Sequence, residues 1–365
     1  MNAVVEPLRV AVLGAGAAGL ALAGRIALAG NHVTVTNRSS GRLRELRRRG
    51  AITIEQPDGS RAEVGANVAD VPVDAVREAQ VVVLAVNSDA QPEVVVSLAP
   101  VLRADHVMFL IPGHSGGAWA VTAALARSGD PSPALMVECP LPFVCLSTGE
   151  ASVRILQDKA DLALAAWPRV GEGPAVDIAV RMGFAPTGVI DVLTAGLSNM
   201  SAVFHPALML GNCARIETGE RFPIFASGAT PSVGALFAAV DAERRAVAAV
   251  YGVSVPSAAD WLRNCYGSTG TTLDELIAAT PGYRDFSSPG SVDHRFLREH
   301  VTAGLVPLAE LARAAGMRTP VSDALIVLAS VVLGTDLRVT GRNLEALLPP
   351  DVPTSAACSY FREAR

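Results

Sequence analysis

Residues 8–19 read Leu8–Arg9–Val10–Ala11–Val12–Leu13–Gly14–Ala15–Gly16–Ala17–Ala18–Gly19, and this stretch decides the fold. Its first six residues form a short apolar run, the character of a strand buried on both faces. The Gly-x-Gly-x-x-Gly spacing follows without a gap. Leu20 to Ala29 is rich in Ala and Leu, and Gly30 closes it as a helix C-cap would. His32–Thr36 reads as a second strand, and Leu43–Arg49 as a second helix with arginines on its wet face. The three glycines thus lie between a strand and a helix of a βαβ unit, the context in which the motif binds a dinucleotide. They allow a tight turn, close approach of backbone to pyrophosphate, and close helix–strand packing. The helix start offers free N–H groups and a partial positive charge to the phosphates. Gly14, Gly16, Ala17, Ala18 and Gly19 are the candidate contacts.

The residues after the second strand choose between nicotinamide cofactors. An NAD site usually carries Asp or Glu there to hold the ribose hydroxyls. This chain has Asn37–Arg38–Ser39–Ser40, with Arg42 close behind. Arg38, Ser39 and Arg42 would hold a 2′-phosphate that a carboxylate repels, so NADP is expected. NAD stays an alternative if Arg38 is solvated or stacks on adenine.

The alternation continues. Gln80–Val86 and His106–Ile111 read as strands. Val86 and Asn87 should meet the cofactor, because ligands sit beyond the carboxyl ends of parallel strands. The second strand of this pair ends in Pro112–Gly113–His114–Ser115–Gly116–Gly117, a Gly-rich loop opening a helix at Ala118. Leu135–Glu138, Ser152–Leu156 and Ala160–Ala166 read as strands, and Ala175–Met182 as a helix. From Leu193 onward helix periodicity dominates, over 195–217, 233–251, 257–265, 301–315, 323–333 and 343–347. The pattern predicts an α/β Rossmann domain with a doubly wound parallel sheet over 1–190. A mostly α-helical domain over 191–348 follows, with a weakly patterned, partly disordered tail over 349–365.

Composition narrows the function. The 365 residues are 50% hydrophobic and 18% charged, with net charge −5 and a single lysine, Lys159. A chain so apolar folds, and a net negative charge argues against nucleic acid or an anionic membrane as partner. The largely apolar run Ala324–Leu333 is far short of the roughly 20 residues that span a bilayer. Met1–Leu8 lacks the basic start of a signal peptide. Five cysteines with no paired metal spacing read as reduced thiols in a cytoplasmic protein, and no metal is implied.

Two stretches carry titratable groups suited to chemistry. His205 lies in Leu197–Ser198–Asn199–Met200–Ser201–Ala202–Val203–Phe204–His205–Pro206, an otherwise apolar helix. Histidine is the natural acid–base group near neutral pH, although a core histidine bonded to backbone is the plainer reading. The second stretch is Asp293–His294–Arg295–Phe296–Leu297–Arg298–Glu299–His300. Arg295 could clamp a carboxylate, and Glu299 with His300 could form an acid–base pair. A solvated charge cluster at a helix entry is the bland alternative.

These stretches, taken with others, resemble the octopine/nopaline (opine) dehydrogenase family along nearly the whole chain. The similar segments include Leu197–Ser198–Asn199, His205–Pro206, Gly228–Ala229–Thr230–Pro231–Ser232–Val233 and Asp241–Ala242–Glu243–Arg244. Val255–Pro256–Ser257, His294–Arg295–Phe296, Gly304–Leu305–Val306–Pro307 and Thr319–Pro320–Val321–Ser322–Asp323–Ala324 belong to the same set, as do Pro112–Gly113 with Gly116–Gly117 and Glu138–Cys139–Pro140–Leu141–Pro142. The resemblance implies an enzyme that condenses a 2-oxo acid with an amine and reduces the imine with NAD(P)H. It implies His205 as the acid–base residue, Asn199 near nicotinamide and substrate, and Arg295 on the oxo-acid carboxylate. It also implies a monomer or a dimer, and a homodimer is expected.

The chain departs from the pattern after Arg295. The family's Glu-Asp-Val-Pro is Glu299–His300–Val301–Thr302, so His300 stands at the position of the catalytic Asp. The carboxylate that orients and charges the histidine is lost. A coupled His205–His300 pair is expected, with Glu299 turning in as a substitute, or else His300 is a shape element. His114 replaces a longer basic or polar residue expected in its loop, which bears on substrate recognition. The reading is an NADPH-dependent oxidoreductase acting on a C=N bond. Its alternatives are reduction of an oxo acid to the alcohol, and a catalytically silent NADP-binding sensor or partner subunit.

Overall fold

The computed structural model describes residues 6–130, 133 and 135–363. Met1–Val5 and residues 364–365, parts of the N-terminal segment and tail read above, lie outside the described residues. The chain forms two compact units. The first holds the chain up to Val86, Ala90–Gly113 and Ser128–Ile190. The second holds Asn87–Asp89, His114–Arg127 and the chain from Asp191 onward.

Twelve strands build the first unit: β1 (Arg9–Leu13), β2 (His32–Thr36), β3 (Ala51–Glu55), β4 (Arg61–Gly65), β5 (Asn67–Val68), β6 (Val81–Leu84), β7 (Val107–Leu110), β8 (Leu135–Glu138), β9 (Phe143–Gly149), β10 (Ser152–Asp158), β11 (Ala163–Trp167) and β12 (Gly188–Ile190). Eight of them form one sheet in the order β12-β11-β8-β7-β6-β1-β2-β5. Its pairs are parallel except β8 with β11. Central strands β6 and β8 are buried at every position, as the apolar runs Val81–Leu84 and Leu135–Val137 require of a sheet covered on both faces. The order reverses at β1, between β2 and β6, and such a switch point opens a crevice at the carboxyl ends of the strands.

The sequence reading missed a second sheet, ordered β4-β3-β10-β9. Helix α1 (Ala17–Leu28) packs against strands of both sheets. Its composition, AAGLALAGRIAL, makes that contact close: a Cβ at Gly24 would stand 3.0 Å from Ile54 Cδ1. Leu20, Ala23 and Ile26 join Val10 and Val33 of one sheet and Ile52, Ile54 and Ile155 of the other in one core.

The second unit is helical. The single helix expected over 195–217 is three: Val192–Leu197, Met200–Gly211 and Cys213–Glu217. Asn199 interrupts it in extended backbone and caps the middle helix by accepting from the Ser201 N–H. The uniform helix expected over 301–315 is also corrected. Helix Arg295–His300 runs into a π-helical turn, Val301–Leu305, and only then into helix Val306–Ala314. Buried Arg244, on helix Pro231–Val250, pairs with Asp241 and donates to the carbonyls of Leu197 and Pro256. The tail is not disordered where it is described. Helix Ala357–Glu363 buries Phe361, whose ring lies 4.7 Å from that of Trp119. No single helix among the described residues is long and apolar enough to cross a membrane.

Candidate active site

The glycine loop of the first unit fits a pyrophosphate. Gly14 has φ +119°, and a Cβ there would stand 2.5 Å from the Ala85 carbonyl oxygen at the end of β6. A Cβ on Gly19 would stand 1.9 Å from the Gly14 carbonyl oxygen. Gly16 is different: it is the N-cap of α1, and a Cβ there would meet nothing within 4 Å. No side chain caps the helix, so its first N–H groups face open space. Half-buried Ala17 and Ala18 begin α1.

Asn37 has a structural task. Its Oδ1 accepts from the Ala15 N–H at 3.1 Å, and its Nδ2 donates to the Ser39 carbonyl, bracing the loop after β1. Arg38 and Arg42 are exposed, with no partner among the described residues, and Ser39 is exposed beside them. Val86 is half-buried at the end of its segment, and exposed Asn87 belongs to the second unit.

The second unit gathers the candidate catalytic side chains. His205, on helix Met200–Gly211, stacks face to face on Phe296 at 4.4 Å and 5°. The His205 and His300 ring centres are 4.3 Å apart, and those of His300 and His114 are 4.9 Å apart. Among the described residues Nδ1 of His205 and Nδ1 of His300 are buried without a hydrogen-bond partner, and Nε2 of His114 lies 3.4 Å from Glu299 Oε1. Burial, reinforced by the charge of Arg295, pushes His205 down to about 3. Burial and then the neighbouring His205 also hold His300 well below the usual histidine range. Both imidazoles are therefore neutral near pH 7.

Glu299 is 1% exposed. Its Oε1 accepts from the Ser88 N–H at 2.8 Å and hydroxyl at 3.0 Å, and Oε2 accepts from Arg295 Nε at 2.9 Å. Burial would raise its carboxyl, but contact with His114 and the Arg295 charge hold it well below the usual range. No hydrogen bond joins Glu299 to His205 or His300 among the described residues. The expected turn of Glu299 toward His205 is therefore replaced by a carboxylate spent on Ser88 and Arg295. Arg295 uses only Nε there. Its side chain is 39% exposed, and its two terminal nitrogens have no partner among the described residues. Two parallel donors in that state suit a carboxylate.

Asn199 Nδ2 donates to the Ser115 hydroxyl at 3.2 Å, and that hydroxyl donates to the Gly196 carbonyl. The Ser115 N–H donates to the Ala303 carbonyl in the π-turn. Sequence reasoning overlooked Arg342, and read Ser88 as part of the strand end that meets the cofactor rather than as a partner of Glu299. Buried Arg342 donates to the carbonyls of Ser115 at 3.1 Å and Ser88 at 2.7 Å, tying together two segments that surround Glu299. Nothing in the mixed polar and apolar stretch from Val339 to Leu348 marks Arg342 as buried.

Comparison with known proteins follows these features. The model for the α-helical domain of NAD/NADP octopine/nopaline dehydrogenase matches residues 189–333, and that for ketopantoate reductase PanE/ApbA matches residues 10–122. An opine dehydrogenase of Arthrobacter sp. (strain 1C) is 33% identical over 94% of this chain and 96% of its own. An octopine dehydrogenase structure with NADH and L-arginine has TM-score 0.73, 20% identity, and coverage of 96% of this chain and 98% of that one. A yersinopine dehydrogenase structure with NADP+ bound has TM-score 0.70 and 16% identity, covering 98% of each chain. The chain belongs to the opine dehydrogenase family and is an NAD(P)H-dependent oxidoreductase acting on C–N bonds.

Proposed function

We propose that this chain reduces the C=N bond formed between a 2-oxo acid and an amine, with NADPH preferred. The observation that carries the reading is a half-buried His205 ring stacked on Phe296, in one unit with an Arg295 whose two terminal nitrogens have no partner among the described residues. Arg295 receives the oxo-acid carboxylate, and Glu299 fixes the guanidinium by holding its Nε. Phe296 holds the His205 ring flat. His205 exchanges a proton with the carbonyl oxygen as water leaves and the imine forms. Asn199 positions the substrate beside it. Bound NAD(P)H supplies the hydride. The first-turn N–H groups of α1 would hold the pyrophosphate.

The test is NADPH oxidation with a panel of 2-oxo acids, with and without amines. Turnover that requires the amine supports the proposal. Turnover with the oxo acid alone would establish ketone reduction instead, and binding of NADPH without any turnover would favour the silent sensor.

Two further expectations belong to this reading. Arg38 and Arg42 are unpaired cations after β2, where no carboxylate stands. Arg38→Ala is expected to raise KM for NADPH about tenfold, the loss of one charge-assisted contact, and to leave NADH nearly unchanged. Equal effects on both cofactors would refute a 2′-phosphate contact. Helix Pro320–Leu333 exposes Val327, Leu328, Val331 and Val332, with Val331 75% exposed. This apolar face supports a homodimer. Val331→Glu is expected to give a monomer by light scattering, and an unchanged mass would exclude this face.

A further inference from the structure

We propose that His114, Glu299 and His300 form a binding site for one divalent transition-metal ion, with zinc favoured. One ligand atom from each lies within 4.8 Å of the other two. The side chains are nearly dry: His114 is 6% exposed, Glu299 1% and His300 3%. Among the described residues His300 Nδ1 is buried without a hydrogen-bond partner, and His114 Nε2 has only the Glu299 carboxylate, 3.4 Å away. A buried lone pair or N–H left in that state is costly, and an ion bound to the ring nitrogens removes the cost.

His114 also carries backbone strain. Its φ of +56° is the one positive value among the described non-glycine residues. That conformation costs about 1–2 kcal/mol in a residue with a Cβ. The neighbouring Ser115 holds it, through its N–H to Ala303 and its carbonyl to Arg342. Strain of this kind concentrates where a side chain must be aimed.

The donor set selects the ion. Two imidazoles and one carboxylate suit zinc, cobalt or nickel, whereas magnesium and calcium take oxygen ligands. Tetrahedral zinc with bonds of about 2.0–2.2 Å spaces its ligand atoms by about 3.3–3.5 Å. His114 Nε2 and Glu299 Oε1 already stand 3.4 Å apart. The other separations are no more than 4.8 Å, and rotation of the His300 ring can shorten them. Three protein ligands leave one position open, the arrangement of reactive rather than structural zinc. The His205 ring stands beside His300, with 4.3 Å between ring centres. Arg295 on the same carboxylate opposes the cation, so binding is expected to be weaker than at a structural zinc site.

The site rests on this cluster and not on the proposed reduction, so each can fail alone. The test uses chelator-treated full-length protein without a histidine tag. Cobalt(II) alone is titrated while visible absorption is followed, and zinc alone is titrated by calorimetry. One ion per chain, with the intense bands of four-coordinate cobalt, is the expected result. His114→Gln and His300→Gln are each expected to lower affinity by more than the roughly 10–100-fold typical of outer-shell changes. Exposed His32→Ala is expected to have no effect. Circular dichroism checks that each variant is folded, and Glu299→Gln provides a third variant should one histidine substitution unfold. No one-to-one binding by the wild type, or folded variants that bind as tightly as it does, would overturn the site. Amine-dependent NADPH oxidation by the metal-free protein is scored separately and tests the reaction.

Discussion

His205→Ala lowers turnover by about 10²–10⁴-fold, the usual contribution of a positioned general acid–base group, and leaves NADPH affinity within a fewfold of wild type. The residue is placed by packing rather than by hydrogen bonds. Phe296 stacks on one face of its ring and Phe225 lies 5.8 Å away. Its Nδ1 has no hydrogen-bond partner among the described residues, so the change breaks no hydrogen bond of that atom there. Removing the ring leaves a cavity, and a loss of about 1–3 kcal/mol of stability is expected from that alone. His205→Gln, which keeps polarity and much of the volume, separates the effects: it should recover stability but not turnover. A His205→Ala enzyme within tenfold of wild type on its best amine and oxo acid would remove His205 from the chemistry.

The second large effect concerns the glycine loop. Gly19→Ala would force a Cβ to 1.9 Å from the Gly14 carbonyl oxygen and 2.8 Å from its carbon. Both are backbone atoms and neither can swing aside. Overpacking of this kind costs about 1–3 kcal/mol where side chains yield, and here the cost should reach or exceed the upper end. The expected result is a midpoint lower by several degrees together with loss of NADPH binding. Gly16→Ala is the informative contrast. Its φ is −77° and its Cβ meets nothing within 4 Å. It should leave thermal stability unchanged and weaken cofactor binding, because the methyl enters the space over the helix start. Equal stability losses in the two variants would mean that the loop tolerates neither for packing reasons alone.

Much of this architecture was legible in the sequence for identifiable reasons. Strands such as Val81–Leu84 are unbroken apolar runs, and the glycine motif punctuates strand and helix at adjacent residues. The second sheet was not legible. β4 (RAEVG) has no fully buried position, so its alternation with Arg61 and Glu63 reads as surface chain. The π-turn was hidden because one extra residue in a turn barely disturbs a 3.6-residue period. Asn199 read as a polar residue within a helix, whereas it ends one and starts another. The site histidines were legible as chemistry but not as a cluster. His114 meets Glu299 and His300 from far along the chain, and the partners of Glu299 and Arg342 at Ser88 lie 211 and 254 residues away.

The division of the chain has a genetic consequence. The backbone passes from one unit to the other after Val86, Asp89, Gly113, Arg127 and Ile190. Cutting at Ile190 would give a C-terminal piece that lacks Ser88 and His114. Glu299 would then be an interior carboxylate stripped of its amide and hydroxyl donors. This protein is therefore not a cassette. Swapping its helical half for that of a relative replaces three separate stretches of gene at once, and a crossover at the obvious boundary yields a chimera with mismatched pieces of one active site.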